Sequence, residues 1–136
     1  MKELYEFGAQ VQRFSQQQDW RFCFIGGMAV QAWSEARLTR DVDMTLLTDV
    51  GGEEQFNAPL LQGFRGRIPD GEKFAFANRV LLVSGPKDIG VDIALGALPF
   101  EESAVARAVD FELLPGLSLR VCSAADLIVY KSFAGD

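Results

Sequence analysis

The residues best suited to chemistry are three aspartates that each stand among hydrophobes. The stretch "DVDMTLL" (41–47) carries Asp41 and Asp43 two positions apart, and "GVDIALG" (90–96) carries Asp92 between Val91 and Ile93. Side chains alternate along an extended strand, so Asp41 and Asp43 are expected on one face while Val42 and Met44 take the other. Two carboxylates so close repel, and each raises the other's pKa unless positive charge stands between them. A divalent cation is the usual solution, and hard oxygen donors suit Mg2+. If the two strands are neighbours, Asp92 supplies a third carboxylate. Such a set could hold one or two Mg2+ ions for an in-line phosphoryl displacement.

A second feature precedes these acids. The apolar run "WRFCFI" ends at Gly26-Gly27, which leads into "MAVQAWSEA", a compact stretch of good helix formers. A strand–Gly-Gly–helix turn lets backbone approach a ligand and aims helix N-terminal N–H groups at it, which makes a cradle for a triphosphate. The stretch "GGMAVQ" lacks the G-x-G-x-x-G spacing of dinucleotide-binding folds, and the chain has no GK[ST] phosphate loop.

Composition narrows the chemistry. The 136 residues contain no histidine, which removes His-based triads, His general bases and His metal ligands. Any reaction must run on carboxylates, amines, hydroxyls or metal ions. A net charge of −6 excludes a general nucleic-acid coat. The charge is uneven: between Gln62 and Lys87 there are Arg65, Arg67, Lys73, Arg79 and Lys87 against only Asp70 and Glu72. This stretch reads either as a solvated loop or as a small positive lip beside an acidic site. Cys23 and Cys122 lie in apolar, strand-like contexts and read as buried hydrophobes in a reducing cytosol. No apolar stretch approaches the roughly 18 residues needed to span a bilayer, and the N-terminus lacks a signal peptide's apolar segment. The expected location is the cytoplasm.

The elements that must position these residues follow from periodicity. Leu4, Phe7, Val11 and Phe14 have helical spacing, which predicts a helix over 2–17. Strands are expected at 20–25 and 41–47, and a helix at 53–63. The Gly- and Arg-bearing "GFRGRIPDGEKFAFA" reads as a loop or irregular hairpin. "RVLLVS" and "GVDIALG" are strands joined by the turn sequence "GPKD" as a hairpin. "PFEESAVARAV" begins with Pro and early acids, as a helix start does. "FELL" and "LSLRV" flank Pro115-Gly116 as a further strand pair. Ser123 and Asp126 resemble a capping box ahead of "LIVYKSFA". One domain, 1–136, of α+β or mixed α/β class is the expectation, not a doubly wound parallel sheet.

Together, "IGGMAVQAW", "TRDVDMTLL" and "GVDIAL" resemble the nucleotidyltransferase superfamily signature: hydrophobe-Gly-Gly, a spacer, Asp-hydrophobe-Asp, and a later strand acid. Thirteen residues separate Gly27 from Asp41, which suits that pattern. The closest resemblance is to AbiEii-like nucleotidyltransferases of type IV toxin–antitoxin systems, and "TRDVD" is also similar to small aminoglycoside nucleotidyltransferases. The likeness covers roughly residues 20 to 133. It implies a mixed β-sheet flanked by helices and transfer of a nucleoside monophosphate from an NTP such as ATP to an acceptor hydroxyl. The implied cofactor is Mg2+, held by Asp41, Asp43 and Asp92. Asp92 would also help deprotonate the acceptor. Gly26, Gly27 and Arg40 would bind the triphosphate. Lys131, in "AADLIVYKSFA", matches a helical lysine of AbiEii-like members and would neutralise phosphate charge. Acceptors of the superfamily include tRNA, proteins and small molecules, and a cognate antitoxin is an implied partner. Such relatives continue past this lysine with another helix, whereas this sequence ends at Asp136, which reads as a truncated or minimal domain.

Each residue alone has a plainer reading. Gly26-Gly27 could be a packing turn, Asp41 a strand-start acid, Asp92 a satisfied polar residue beside a hairpin, and Lys131 part of a solvated face. Arg37 and Arg40 could steer phosphate or merely offset Asp41 and Asp43. The alternatives for the whole are a catalytically inactive or truncated nucleotidyltransferase-fold module that binds or regulates a partner, and, less well matched, a metal-dependent glycosyltransferase.

Overall fold

The computed structural model describes residues 2–33 and 41–134. Along the chain run α1 (Lys2–Gln17), β1 (Phe22–Ile25), α2 (Gly26–Trp33), β2 (Val42–Leu47), α3 (Glu54–Gly63), β3 (Arg65–Gly66) and α4 (Gly71–Asn78). There follow β4 (Val80–Ser84), β5 (Gly90–Gly96), α5 (Pro99–Arg107), β6 (Val109–Leu114), β7 (Leu117–Val121) and α6 (Ala124–Ala134). The strands form one mixed sheet in the order β3-β4-β5-β2-β1-β7-β6. The pairs β2–β5 and β1–β7 are parallel, and the remaining neighbours are antiparallel. The mixed α/β class expected from the order of periodic segments is the class observed.

Alternation explains the core. Val42, Met44 and Leu46 of β2 pair with Val91, Ile93 and Leu95 of β5, and the last two of these β2 residues pair with Phe24 and Phe22 of β1. Leu81 and Val83 of β4 continue the row, and all of these side chains are buried. Helix α1 lies across this apolar face, with Phe7 closing on the backbone of Gly85 at the end of β4. At β7 the Gln12 amide donates to the Ser118 carbonyl at 2.9 Å and accepts from the Arg120 N–H at 2.8 Å. The predicted spacing of Leu4, Phe7 and Val11 is the buried stripe of this helix.

The opposite face carries Cys23, Asp43, Thr45, Asp92 and Ala94, since residues in register share a face. Helices α5 and α6 roof the Thr45 end. Tyr130 of α6 and Thr45 share a hydrogen bond at 3.0 Å, and the Tyr130 ring packs edge-on against Phe100 of α5. Arg107 clamps the two helices together through both oxygens of Asp126.

The segment expected as a loop or irregular hairpin instead holds β3, paired to Val83 and Ser84, and the helix α4. Only Gly71 and Ala75 of α4 are buried, and Asp70 and Arg79 at its ends adopt left-handed backbone. With so short an apolar stripe, packing on β4 rather than periodicity makes the helix. Cys23 and Cys122 are buried free thiols, each pushed up to about 12 chiefly by burial, so neither is a reactive thiolate.

Candidate active site

The parallel pairing of β2 and β5 places Asp43 directly opposite Asp92. Ile25, the last residue of β1, stands opposite Asp43 on the other side. The chain therefore turns from β1 into α2 beside these two acids. Gly26 makes that turn with φ +59°, and a Cβ there would overlap the Asp43 carboxylate. Only glycine meets both demands, a left-handed backbone and contact with a side chain of the next strand. The next N–H, that of Gly27, donates to the Asp43 carboxylate.

Asp41 lies just before β2, exposed, rather than within the strand as its spacing predicts. It still belongs to the cluster: its Oδ1 comes within 2.9 Å of the point a Cβ on Gly90 would occupy. The same point is overlapped by the Arg67 guanidinium, which forms an ion pair with Asp92. Gly90 thus leaves the space in which Asp41 and Arg67 approach the start of β5.

Electrostatics single out Asp43. Burial first, then the charges of Asp92 and Asp41, push its carboxyl up to about 6, against the opposing pull of the Gly27 N–H and Arg67. Carboxylates held together in a half-buried crevice favour a proton or a cation. The donor set suits Mg2+ in kind, since every candidate ligand is a hard carboxylate oxygen. Among the described residues, however, no three His, Cys, Asp or Glu side chains are gathered into a ready-made metal cage. Among the described residues, the positive charge paired with these acids is that of Arg67.

Of the residues expected at a site, Gly26, Gly27, Asp43 and Asp92 come together, with Asp41 at the rim. Lys131 lies one residue beyond Tyr130, half-buried on α6, and no ion pair among the described residues joins it to the acids. Arg40, with Arg37, lies outside the described residues. The positive lip resolves into separate tasks. Arg65 pairs with Asp88, Lys87 with Glu3, and Arg79 with Glu53. Among the described residues of this stretch, Arg67 is the one paired with a site acid. Nothing local distinguishes Arg67 from Arg65, two positions earlier in "RGR"; the selection is made by where β3 pairs on β4.

No protein-family model matches the chain, and neither does any curated protein. Solved structures do. The chain is similar to an antigenic nucleotidyltransferase-like protein from Paracoccidioides brasiliensis, with a TM-score of 0.64 at 14% identity over 98% of this chain and 66% of that one. It is similar also to the antibiotic-resistance factor ANT(2'')-Ia in its solution structure, with a TM-score of 0.57 at 17% identity over 96% of this chain and 70% of that one. Against the crystal structure of ANT(2'')-Ia in complex with adenylyl-2''-tobramycin, the TM-score is 0.62 at 16% identity, over 99% of this chain and 78% of that one. The chain thus spans just under two thirds of the first neighbour. At these identities the likeness establishes the fold, which is nucleotidyltransferase-like. No helix among the described residues is long and apolar enough to cross a membrane.

Proposed function

We propose that this chain transfers a nucleoside monophosphate from an NTP to an acceptor hydroxyl with Mg2+ as cofactor. The observation that carries the reading is the facing pair Asp43 and Asp92 beside the Gly26-Gly27 turn at the start of α2. Anion-binding backbone and cation-binding carboxylates in one crevice are what a metal–triphosphate complex requires. Asp41, Asp43 and Asp92 would hold Mg2+, which when bound neutralises phosphate charge and stabilises the leaving pyrophosphate. The backbone at Gly26-Gly27, with Arg40, holds the triphosphate. Asp92 accepts the acceptor's proton as its oxygen bonds to the α-phosphorus and the bond to pyrophosphate breaks. Lys131 contributes as a point cation toward phosphate.

A small hydroxylated acceptor fits better than a long RNA. The chain is net acidic, and Arg65, Arg79 and Lys87 are engaged in ion pairs rather than arrayed for phosphates. ANT(2'')-Ia, a fold neighbour, is known with an adenylylated aminoglycoside, which supports ATP and a sugar-like hydroxyl as the first pair to try. A tRNA or protein acceptor, and a toxin–antitoxin role with a cognate antitoxin, rest on the AbiEii-like sequence resemblance. A second reading, an inactive or truncated nucleotidyltransferase-fold module that binds or regulates without turnover, draws on the Arg67–Asp92 pair in a cluster that forms no ready-made cage among the described residues.

Calorimetric titration of each NTP with Mg2+, into the intact chain and into Asp43→Ala, separates the two. Binding that needs both Mg2+ and Asp43, followed by pyrophosphate release with an acceptor, supports transfer. Absence of Mg2+-dependent binding by the intact chain overturns it and leaves the second reading.

A further inference from the structure

The main-chain N–H of Arg67 donates to the Leu82 carbonyl at 3.0 Å, and Leu82 stands opposite Asp92 on β5. Asp92 stands opposite Asp43 in turn. Arg67 is therefore in the same lateral row as the two acids, its base pinned to β4 while its side chain reaches across Leu82 to Asp92. Its head differs from that of Arg79. Arg79 donates twice to the Leu95 carbonyl, and also to Glu53 and to Thr48 Oγ1, which ties it into the fold. Among the described residues, the Arg67 guanidinium bonds to the Asp92 carboxylate and to no other side chain, in a crevice shared with Asp41, with side-chain exposures of 31% for Arg67 and 42% for Asp92. Both partners meet solvent, so the pair can open without unfolding anything.

We infer that Arg67 is a resident counter-cation of the crevice at Asp92 and competes with a divalent metal ion for that carboxylate. The inference rests on the metal-binding half of the proposed function. Two cations on one carboxylate repel, and a guanidinium occupying an oxygen of Asp92 blocks that oxygen as a ligand. Metal entry then requires the head of Arg67 to leave, which its solvent-facing position and fixed base permit. Without metal, the same guanidinium limits the repulsion among three neighbouring acids.

The test is titration of Mn2+ alone, without nucleotide, into the intact chain and into Arg67→Gln, Arg65→Gln and Asp92→Asn. Arg67→Gln is expected to bind Mn2+ roughly two- to fivefold more tightly, the range for relief of a partly exposed ion pair. Arg65→Gln removes the same charge from the Asp88 pair and should leave the affinity unchanged. In an Asp92→Asn background the gain from Arg67→Gln should vanish. Unchanged or weaker Mn2+ binding by Arg67→Gln, an equal gain in Arg65→Gln, or no Mn2+ binding by any form overturns the inference. Should Arg67→Gln fail to fold, Arg67→Lys keeps the charge without the fork; Mn2+ binding about twofold tighter than in the intact chain is expected, and unchanged or weaker binding overturns the inference. Nucleotide transfer is read separately. The competition without pyrophosphate release from any NTP sustains the inference and sinks the proposed activity; release without competition sinks only the inference.

Discussion

Asp43 and Asp126 are both aspartates shielded from solvent, yet they titrate in opposite directions. Asp126, at the start of α6, is 4% exposed and satisfied on both oxygens. Arg107 donates to Oδ1 at 2.7 Å and to Oδ2 at 3.0 Å, and Ser123 Oγ donates to Oδ2 at 2.9 Å. Its pKa is lowered, mainly by the Arg107 bond, against the opposing effect of burial. Asp43 accepts from Gly27 but faces Asp92 and Asp41, and its carboxyl is pushed up to about 6. Burial acts the same way on both, so partners decide the outcome. One carboxylate fastens two helices; the other is left with excess negative charge where an external cation can be useful.

The contrast is most exposed to failure at Asp43. Asp43→Ala should weaken Mg2+-dependent NTP binding and transfer by at least about 100-fold, while the fold persists. A variant that retains Mg2+–NTP affinity by calorimetry would place the ligand elsewhere. Asp126→Ala should do the reverse, costing about 1–3 kcal/mol in urea unfolding without a change in nucleotide affinity per folded molecule. Gly26→Ala combines a left-handed backbone with an overlap on Asp43, and a loss of about 2–3 kcal/mol is expected together with weakened NTP binding. Stability unchanged from wild type would mean that the turn is looser than its geometry implies.

The opposite shifts predict opposite pH slopes in metal-free, chelated buffer. A raised carboxyl binds its proton more tightly in the folded state, so stability falls as pH rises from about 4 to about 6 and is level above. Asp43→Asn removes that slope and should be the more stable protein at pH 7, by on the order of 1–3 kcal/mol. Equal slopes in the two proteins from pH 4 to 6 would deny the crowding at Asp43. A lowered carboxyl such as Asp126 contributes above its ordinary range and loses that contribution as pH falls below about 4. The smallest effect belongs to Arg65→Gln. Its ion pair with Asp88 has side-chain exposures of 67% and 87%, and less than about 0.5 kcal/mol is expected.

Much of the fold was legible because its signals are local. The three-four spacing of Leu4, Phe7 and Val11 marks α1 and its buried stripe. The alternation in "VDMTLL" separates the acid from the core before any partner strand is known. Ser123 and Asp126 announce the start of α6, although nothing in their spacing reveals the clamp from Arg107. The helix α4 stayed hidden because its stripe is two small residues, Gly71 and Ala75. Asp41 reads as a strand residue from spacing, yet pairing with β5 begins at Val42 and leaves it at the rim.

By itself, the sequence determined which face of each strand is apolar, where helices begin, and that glycine, three acids and no histidine are available for chemistry. These follow from bond geometry and side-chain chemistry over a few residues. Only the tertiary structure decided that β2 and β5 are parallel neighbours in the one register that sets Asp43 against Asp92. It also chose Arg67, not Arg65, to reach them. A slip of one residue would have turned either acid into the opposite face, and no local pattern can exclude it. Register between distant strands is set by the packing of the whole core, which the chain expresses only once it has folded.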